Sequence, residues 1–145
     1  MNKNYIVISN INEYKQEHIN DKLILTRLHP YIDEISLFKN DLTYSKVLNC
    51  YINNELIHLH KYKQIILHMY NSINIQSIIQ NTILNISNKE RYDKGFKYYE
   101  NLGISIQGSD ARRLLKEIIN INKIKKDSIT LKIQLRNNKI YTFEI

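Results

Sequence analysis

A chain of 145 residues with 43% hydrophobic and 24% charged residues has the size and composition of one globular domain, which excludes a disordered chain. No apolar run reaches the roughly 20 residues that a membrane-spanning helix needs, and the apolar stretch at the N-terminus is too short for a signal peptide. The net charge is +7, and the single cysteine, Cys50, is typical of a reducing compartment such as the cytoplasm. We therefore expect residues 1–145 to form a single cytoplasmic domain that does not contact a membrane.

The positive charge is unevenly distributed along the chain. Ile, Asn, Lys and Tyr supply 73 of the 145 residues, and their AT-rich codons explain part of the lysine excess by a low-GC genome. Residues 1–88 carry 8 Lys and Arg against 7 Asp and Glu, whereas residues 89–145 carry 13 against 7. Uniform codon bias would not produce this asymmetry, so the basic C-terminal part is where we expect a partner to bind.

The first predicted elements are strands. Residues 5–8 are predicted to form a short strand, residues 11–21 a polar loop or short helix, and residues 22–28 a second strand that ends before Pro30.

Residues 47–60 are predicted to form a hairpin around an Asn53-Asn54 turn, because Asn tolerates the positive φ values of a type I′ turn. A helix over these residues is the alternative. The hairpin register sets Leu48 opposite Leu59 and Asn49 opposite His58. It gives one apolar face to Leu48, Cys50, Ile52, Ile57 and Leu59, and the other face to Val47, Asn49, Tyr51, Leu56, His58 and His60.

Helical spacing dominates the middle of the chain. Residues 64–86 are predicted to form one or two helices, and residues 88–101 another helix that ends at Gly103. The second of these would bury an aromatic stripe of Tyr92, Phe96, Tyr99 and Leu102. Residues 104–106 are predicted to form a strand, followed by a helix from an N-cap at Ser109 to about residue 122. The buried stripe of that helix is Leu114, Leu115, Ile118 and Ile121.

A hairpin is predicted at the C-terminus, because apolar and polar residues alternate strictly from Ile129 to Arg136. A three-residue loop at residues 137–139 would set Leu135 opposite Tyr141 and Lys132 opposite Glu144. The order of elements predicts an α+β fold with N-terminal strands and a hairpin, central helices, and a C-terminal β-hairpin packed on an amphipathic helix.

The first candidate site is the pair His58 and His60, with Tyr51 on the neighbouring strand. Side chains at i and i+2 of a strand share a face, so two imidazoles could bind a metal or act as acid and base. A metal site needs a third ligand, and no Asp, Glu or Cys stands at a suitable spacing. The ordinary structural explanation is a pair of exposed strand residues, and no metal or cofactor is expected.

The second candidate is the glycine-containing segment of residues 103–113, which opens a helix. Backbone N–H groups at a helix N-terminus attract phosphates, and Arg112 and Arg113 could clamp one. The segment lacks the phosphate-loop lysine and the dinucleotide-binding glycine spacing. The ordinary explanation is a capped helix in which Arg113 and Glu117 form an i, i+4 pair.

The third candidate is a basic helix face. Arg112, Lys116, Asn120 and Lys123 recur at steps of four, four and three residues, and Lys125 and Lys126 follow. The preceding segment adds Lys94 and Lys97, and Tyr98 could stack a base between them. The alternative is a solvated face in a lysine-rich chain.

The basic face favours a non-enzymatic binding module, a small regulator or inhibitor acting on nucleic acid or on the acidic protein surface of a nucleic-acid-handling complex. The low-GC composition and small size are typical of a phage or another mobile element. One rival is a small nucleotide- or RNA-processing enzyme that uses His58 and His60. The other is a protein-interaction subunit that makes no nucleic-acid contact.

Overall fold

The structure is a computed structural model that describes residues 40–145, together with the backbone of residues 6–8, 14–19 and 22–27. In chain order its elements are β1 (Ile6–Ile8), β2 (Tyr14–Ile19), β3 (Lys22–Arg27), β4 (Lys46–Ile52), β5 (Glu55–Ile57), α1 (Tyr62–Tyr70), α2 (Ile75–Asn81), β6 (Ile86–Ser87), β7 (Phe96–Tyr99), β8 (Ile104–Gln107), α3 (Ala111–Lys125), β9 (Ile129–Gln134) and β10 (Ile140–Glu144). Helices and antiparallel sheets are combined, which confirms the α+β class. None of these helices has the length and apolar content needed to cross a membrane.

The chain divides into two compact units. Residues 1–60 and 127–145 form one, here called the discontinuous unit, and residues 61–126 form the continuous unit. The single domain expected from the sequence stays a prediction. The expected packing of the C-terminal hairpin on an amphipathic helix concerns elements of different units and also stays a prediction.

A five-stranded antiparallel sheet organises the discontinuous unit. Its strand order is β1-β10-β9-β4-β5, so β9 lies in the middle. The side chains of Ile129, Leu131, Ile133, Cys50 and Phe143 are fully buried and form its core.

The N-terminal strands partly agree with the sequence interpretation. Strand β1 is confirmed over its three residues, and β3 over residues 22–27. The loop or short helix predicted across residues 14–19 is wrong, because β2 pairs with β3 from Tyr14 opposite Arg27 to Ile19 opposite Lys22. In this ladder the backbone N–H and C=O groups of β2 pair with those of β3, so a strand forms here although the side chains of β2 are mostly polar. The predicted strand ends at Tyr5 and Leu28, and Pro30, lie outside the described residues.

The β4–β5 hairpin has the predicted turn. Asn53 and Asn54 have φ values of 52° and 66°, and Cys50 lies opposite Ile57. Strand β5 ends at Ile57, so the predicted pairing of Leu48 with Leu59 and of Asn49 with His58 is wrong.

Val47 lies on the opposite face of β4 from the one predicted, because β4 contains a bulge. Against β9, Val47 lies opposite Ile133 and Asn49 opposite Lys132, which leaves Leu48 as the extra residue. One extra residue reverses the side-chain alternation on either side of it. Val47 therefore shares the core face with Cys50 and is only 2% exposed.

The C-terminal hairpin has a three-residue loop, but one residue earlier than predicted. Leu135 N–H donates to Lys139 O at 2.8 Å, and Asn138 N–H donates to Leu135 O at 2.9 Å, so the loop is residues 136–138. Each residue of β9 consequently pairs with a β10 residue two positions earlier than predicted. Tyr141 lies opposite Ile133, and Lys132 lies opposite Thr142 rather than Glu144. A shift of two keeps every side chain on its predicted face.

Three helices and a small sheet form the continuous unit. The predicted helical region 64–86 is two helices, α1 and α2, and Ile86 belongs to β6 instead. Both α1 and α2 pack against α3. The buried side chains are mainly Tyr62, Ile65, Ile66, Met69, Tyr70, Ile78, Leu84, Ile104, Ile106, Leu115, Ile118 and Ile121.

The helix predicted over residues 88–101 is wrong. Strand β7 occupies Phe96–Tyr99 and pairs with β8, giving the order β6-β8-β7. Lys94 and Gly95 have φ values of 51° and 80°, and Phe96 N–H donates to Asp93 O at 2.9 Å. Two successive positive φ values form a turn and cannot continue a right-handed helix. Gly103, at φ 66°, lies in the turn between β7 and β8 rather than at a helix end.

Candidate nucleic-acid interface

The two units differ completely in charge. The continuous unit, residues 61–126, carries 12 Lys and Arg against 5 Asp and Glu, whereas the discontinuous unit carries 9 against 9. The whole net charge of +7 therefore belongs to the continuous unit. The two units separate the charge more completely than the division at residue 88/89 of the sequence does. The reason is that the continuous unit includes Lys61 and Lys63 and excludes residues 127–145.

Four of the five carboxylates in the continuous unit accept hydrogen bonds inside it. Asp110 accepts from Arg113 N–H at 2.8 Å, Asp93 from the Arg91 guanidinium at 3.0 Å, and Glu90 from the Tyr92 hydroxyl at 2.5 Å. Glu117 is fully buried. Glu90, Asp93, Glu100 and Asp110 remain exposed and charged, so the basic character of this unit comes from its count of 12 Lys and Arg against 5 Asp and Glu.

Helix α3 carries the predicted basic face. Arg112, Lys116 and Lys123 are all exposed, and at 100° per residue their positions fall within about 40° of each other around the helix. Lys126 follows as the C-cap in a left-handed conformation, with its N–H donating to Asn122 O at 2.7 Å. Cations near a helix C-terminus are also favoured by the helix dipole.

Asn120 interrupts this face. Its side-chain amide donates to Asn81 O at 2.6 Å and to the Glu117 carboxylate at 2.9 Å. Asn120 therefore fastens α3 to the end of α2 instead of facing a partner. The solvent-facing group consists of Arg112, Lys116, Lys123 and Lys126.

Arg113 and Lys125 contact the rest of the continuous unit. The guanidinium of Arg113 donates to the carbonyl oxygen of Ile83, and Lys125 Nζ donates to Ser72 Oγ at 2.6 Å. The predicted pairing of Arg113 with Glu117 is wrong, because Glu117 points into the core. Both cations are thus held by the fold.

The start of α3 is capped by its own chain. The N-cap is Asp110 rather than the predicted Ser109, one residue later, and its carboxylate bonds the N–H of Arg113. Gly108 N–H donates to Gly95 O at 3.0 Å. Two N–H groups that would cradle a phosphate in this segment are therefore already bonded.

Glu117 is a buried polar group that the sequence interpretation missed. Its carboxylate accepts hydrogen bonds from the hydroxyls of Tyr70 and Thr82, from Asn120 at 2.9 Å and from Ile83 N–H at 3.3 Å. Burial, and then the Glu117 charge, raise the pKa of the Tyr70 hydroxyl. The signal was present in the sequence, because position 117 lies three residues after Leu114 and four before Ile121, on the buried stripe itself.

A second basic group lies at strand β7 and includes the predicted Lys97. The Nζ atoms of Lys97 and Lys63 each lie 5.5 Å from the centroid of the Tyr99 ring. Burial, and then the charge of Lys97, lower the pKa of Lys63. Among the described residues neither ammonium has a carboxylate partner.

The predicted histidine pair is not arranged as a strand face. Strand β5 ends at Ile57, so His58 and His60 lie beyond it; both are exposed, and Tyr51 is half-buried. His60 Nδ1 donates to Val47 O at 3.1 Å. Within residues 40–145 and the three described N-terminal strands, no three His, Cys, Asp or Glu side chains are grouped to hold a metal.

Comparison with known proteins gives no family: no protein-family model, curated protein or solved structure matches this chain.

Proposed function

We propose that this protein is a non-enzymatic, cytoplasmic nucleic-acid-binding module whose continuous unit contacts phosphates. The observation that carries the proposal is the separation of charge, with the entire +7 on residues 61–126 and none on the remainder. Codon bias affects both units alike, so it does not account for a neutral unit beside a strongly basic one. A basic surface of this kind attracts the phosphate backbone and releases its counterions.

Helix α3 supplies the phosphate contacts in this proposal. Arg112 and Lys123 are eleven residues apart, which is about 16 Å along a helix, and Lys116 lies between them. Such a row spans several phosphates of one strand, since these repeat about every 3.4 Å along a duplex. The backbone of the helix is held by the Asp110 cap and by the Asn120 hydrogen bonds, so the positions of the row along the helix are set before a partner binds.

A module of this kind would act by occupying its target, as a small regulator or inhibitor of a process that uses the nucleic acid. The low-GC composition supports a phage or another mobile element as its source.

The test is the salt dependence of binding, measured by fluorescence anisotropy with a labelled duplex. The double variant Lys116→Gln/Lys123→Gln should reduce the slope of log K against log salt concentration by about 0.9 for each phosphate that the variant no longer neutralises. Glutamine keeps the helix propensity near that of lysine, so the fold should be retained.

The matched control is Lys46→Gln/Lys139→Gln, which removes two exposed lysines from the neutral unit. We expect its affinity and salt slope to equal those of the parent protein. Equal slopes for all three proteins, or no binding to any nucleic acid at low salt, would rule out the proposed function.

A further inference from the structure

We infer that Lys63 and Lys97, whose ammonium groups both lie over the ring of Tyr99, form a binding site for a phosphate monoester, here called the lysine-pair site. A phosphate monoester occurs at the end of a nucleic-acid strand and on a free nucleotide, whereas the phosphates inside a strand are diesters. For a strand end the inference rests on the proposed function, and it adds a preference for strands that carry a terminal phosphate.

One aromatic ring brings the two ammonium groups together. Lys63 is in the first turn of α1 and Lys97 is on β7, and each Nζ atom lies 5.5 Å from the centroid of the Tyr99 ring. The ring attracts both cations but carries no negative charge. Each ammonium group ends a flexible four-carbon stem, so both can close on one small anion beside the ring.

The two cations repel each other in the absence of a ligand. Lys63 is half-buried, and burial, and then the charge of Lys97, lower the pKa of its ammonium group. Within the part of the chain that the structure describes, no carboxylate forms an ion pair with either lysine. A bound anion would supply this missing counter-charge and remove the repulsion.

The exposed carboxylates of Glu90 and Glu100 lie on the other side of β7. Both raise the pKa of the Tyr92 hydroxyl, and the Tyr92 ring meets Tyr98 edge to face. Tyr98 follows Lys97 directly on the strand, so the two side chains point to opposite faces of the sheet. The other three carboxylates of the continuous unit accept the hydrogen bonds described above; they are those of Asp93, Asp110 and Glu117.

The start of α1 adds to the positive potential at Lys63. Its N-cap is Lys61, no side chain bonds the first N–H groups, and its first turn contains no Asp or Glu. A cation in the first turn lies at the positive end of the helix dipole, where an acidic residue is normally preferred. An anion at Lys63 would therefore be attracted by the helix as well as by the two lysines.

The charge of the pair favours a monoester over a diester. A phosphate monoester carries about −1.5 to −2 at pH 7 and presents three acceptor oxygens, whereas each phosphate inside a strand carries a single negative charge. One monoester thus neutralises both ammonium groups, and one diester leaves a positive charge behind. The internal phosphates of the same strand would be contacted by the row on α3.

The test compares three internally labelled strands of about 12 thymidines, which carry a 5′-phosphate, a 3′-phosphate or no terminal phosphate. At least one phosphorylated strand should bind about tenfold more tightly than the unphosphorylated one, the effect expected for a charge-assisted hydrogen bond. Lys63→Gln and Lys97→Gln should each reduce this ratio towards one. Lys97→Arg keeps the charge and should keep the ratio.

The matched control is Lys89→Gln, which removes an exposed lysine of the same unit outside the site. Its ratio should equal that of the parent protein. The variant Lys116→Gln/Lys123→Gln should weaken the binding of all three strands and leave the ratio unchanged. Equal binding of all three strands by the parent protein, or an equal loss of the ratio in Lys89→Gln and Lys97→Gln, would overturn the lysine-pair site and leave the proposed function standing.

Thymidine 5′-monophosphate distinguishes a strand end from a free nucleotide. We expect it to compete with the phosphorylated strand more effectively than thymidine does, but to bind more weakly than that strand. If the monophosphate bound the parent protein and not Lys97→Gln, while no strand bound, the lysine-pair site would be supported as a nucleotide site and the proposed function would fail. Failure of the monophosphate and of every strand to bind would overturn both.

Discussion

The carboxylate of Glu117 connects three helices of the continuous unit. Tyr70 is the last residue of α1, Thr82 is the C-cap of α2, and Glu117 is on α3. Burying a charge is costly unless hydrogen bonds replace its water, and here four donors do so. The arrangement positions the helix that carries Arg112, Lys116 and Lys123.

Removing this carboxylate should therefore be costly. Glu117→Ala removes the acceptor of the Tyr70 and Thr82 hydroxyls and of the Ile83 N–H, and the 3.1 Å contact between the two hydroxyls can satisfy only one of them as a donor. We expect the free energy of unfolding to fall by at least about 3 kcal/mol. An exposed i, i+4 pair with Arg113 would instead predict a decrease of about 0.3–0.5 kcal/mol. Urea denaturation at neutral pH separates the two values. A decrease below about 1 kcal/mol would show that Glu117 is in solvent.

Cys50 should make the stability fall at alkaline pH. Burial raises the pKa of its thiol from 9.0 to about 11 in the folded chain. The unfolded chain then ionises first, so the contribution is complete below pH 9 and disappears as the pH rises towards 11. The expected decrease between these pH values is about 2 kcal/mol.

The comparison protein is Cys50→Ala, measured by chemical denaturation over the same pH range. Tyrosines and lysines titrate equally in both proteins, so the difference between the two curves isolates Cys50. The variant should be less stable at about pH 8 because of its cavity. If its stability falls with pH as steeply as that of the parent protein, the thiol does not have a raised pKa.

At the scale of single elements, the loop of the C-terminal hairpin contains one residue in the left-handed backbone conformation. Asn138 has a φ of 69°, where most residues lose about 1–2 kcal/mol and Asn or Gly loses less. Asn138→Ala should therefore destabilise the protein by about 1 kcal/mol, and Asn138→Gly should be tolerated. Thermal denaturation of the two variants measures this difference.

Lys139 is the control position, since it follows the loop instead of closing it. Its N–H donates to the Asn137 side chain at 3.1 Å, and its φ is not positive. Lys139→Gly should destabilise the hairpin, whereas the loop predicted at residues 137–139 would place Lys139 in the left-handed position and make glycine favourable there. If Lys139→Gly stabilised the protein, the result would support the predicted loop at residues 137–139 and contradict the observed one at residues 136–138.

Periodicity identified elements best where one face is buried and no turn intervenes. The alternation from Ile129 to Gln134 and the stripe of Leu115, Ile118 and Ile121 correspond to β9 and α3. The spacing of Tyr92, Phe96 and Tyr99 misled because aromatic residues at helical intervals also occur by chance across a turn and a strand. Gly95 was the local sign against a helix, since glycine inside one costs about 1 kcal/mol relative to alanine.

At the scale of the whole molecule, chain order predicted the α+β class but not the division into units. The boundaries at residues 60/61 and 126/127 carry no proline or glycine to mark them. The basic face was predictable from the spacing of Arg112, Lys116 and Lys123, because exposed charges follow the helix period. The roles of Arg113, Asn120 and Lys125 were not, because each is decided by a hydrogen bond to a residue distant in sequence.

The interruption of one unit by the other has a consequence for biosynthesis. Strand β4 leaves the ribosome before residues 61–126, but β9, its neighbour in the sheet, follows them. The continuous unit has all of its own helices and strands once residue 126 has been made, and domains usually fold as units during synthesis. The five-stranded sheet must wait for β9, and until then β4 is paired only with β5 among the described strands. A two-stranded hairpin is marginally stable in water. Slow translation through residues 127–145 would prolong the time in which the open edge of β4 can pair with another nascent chain.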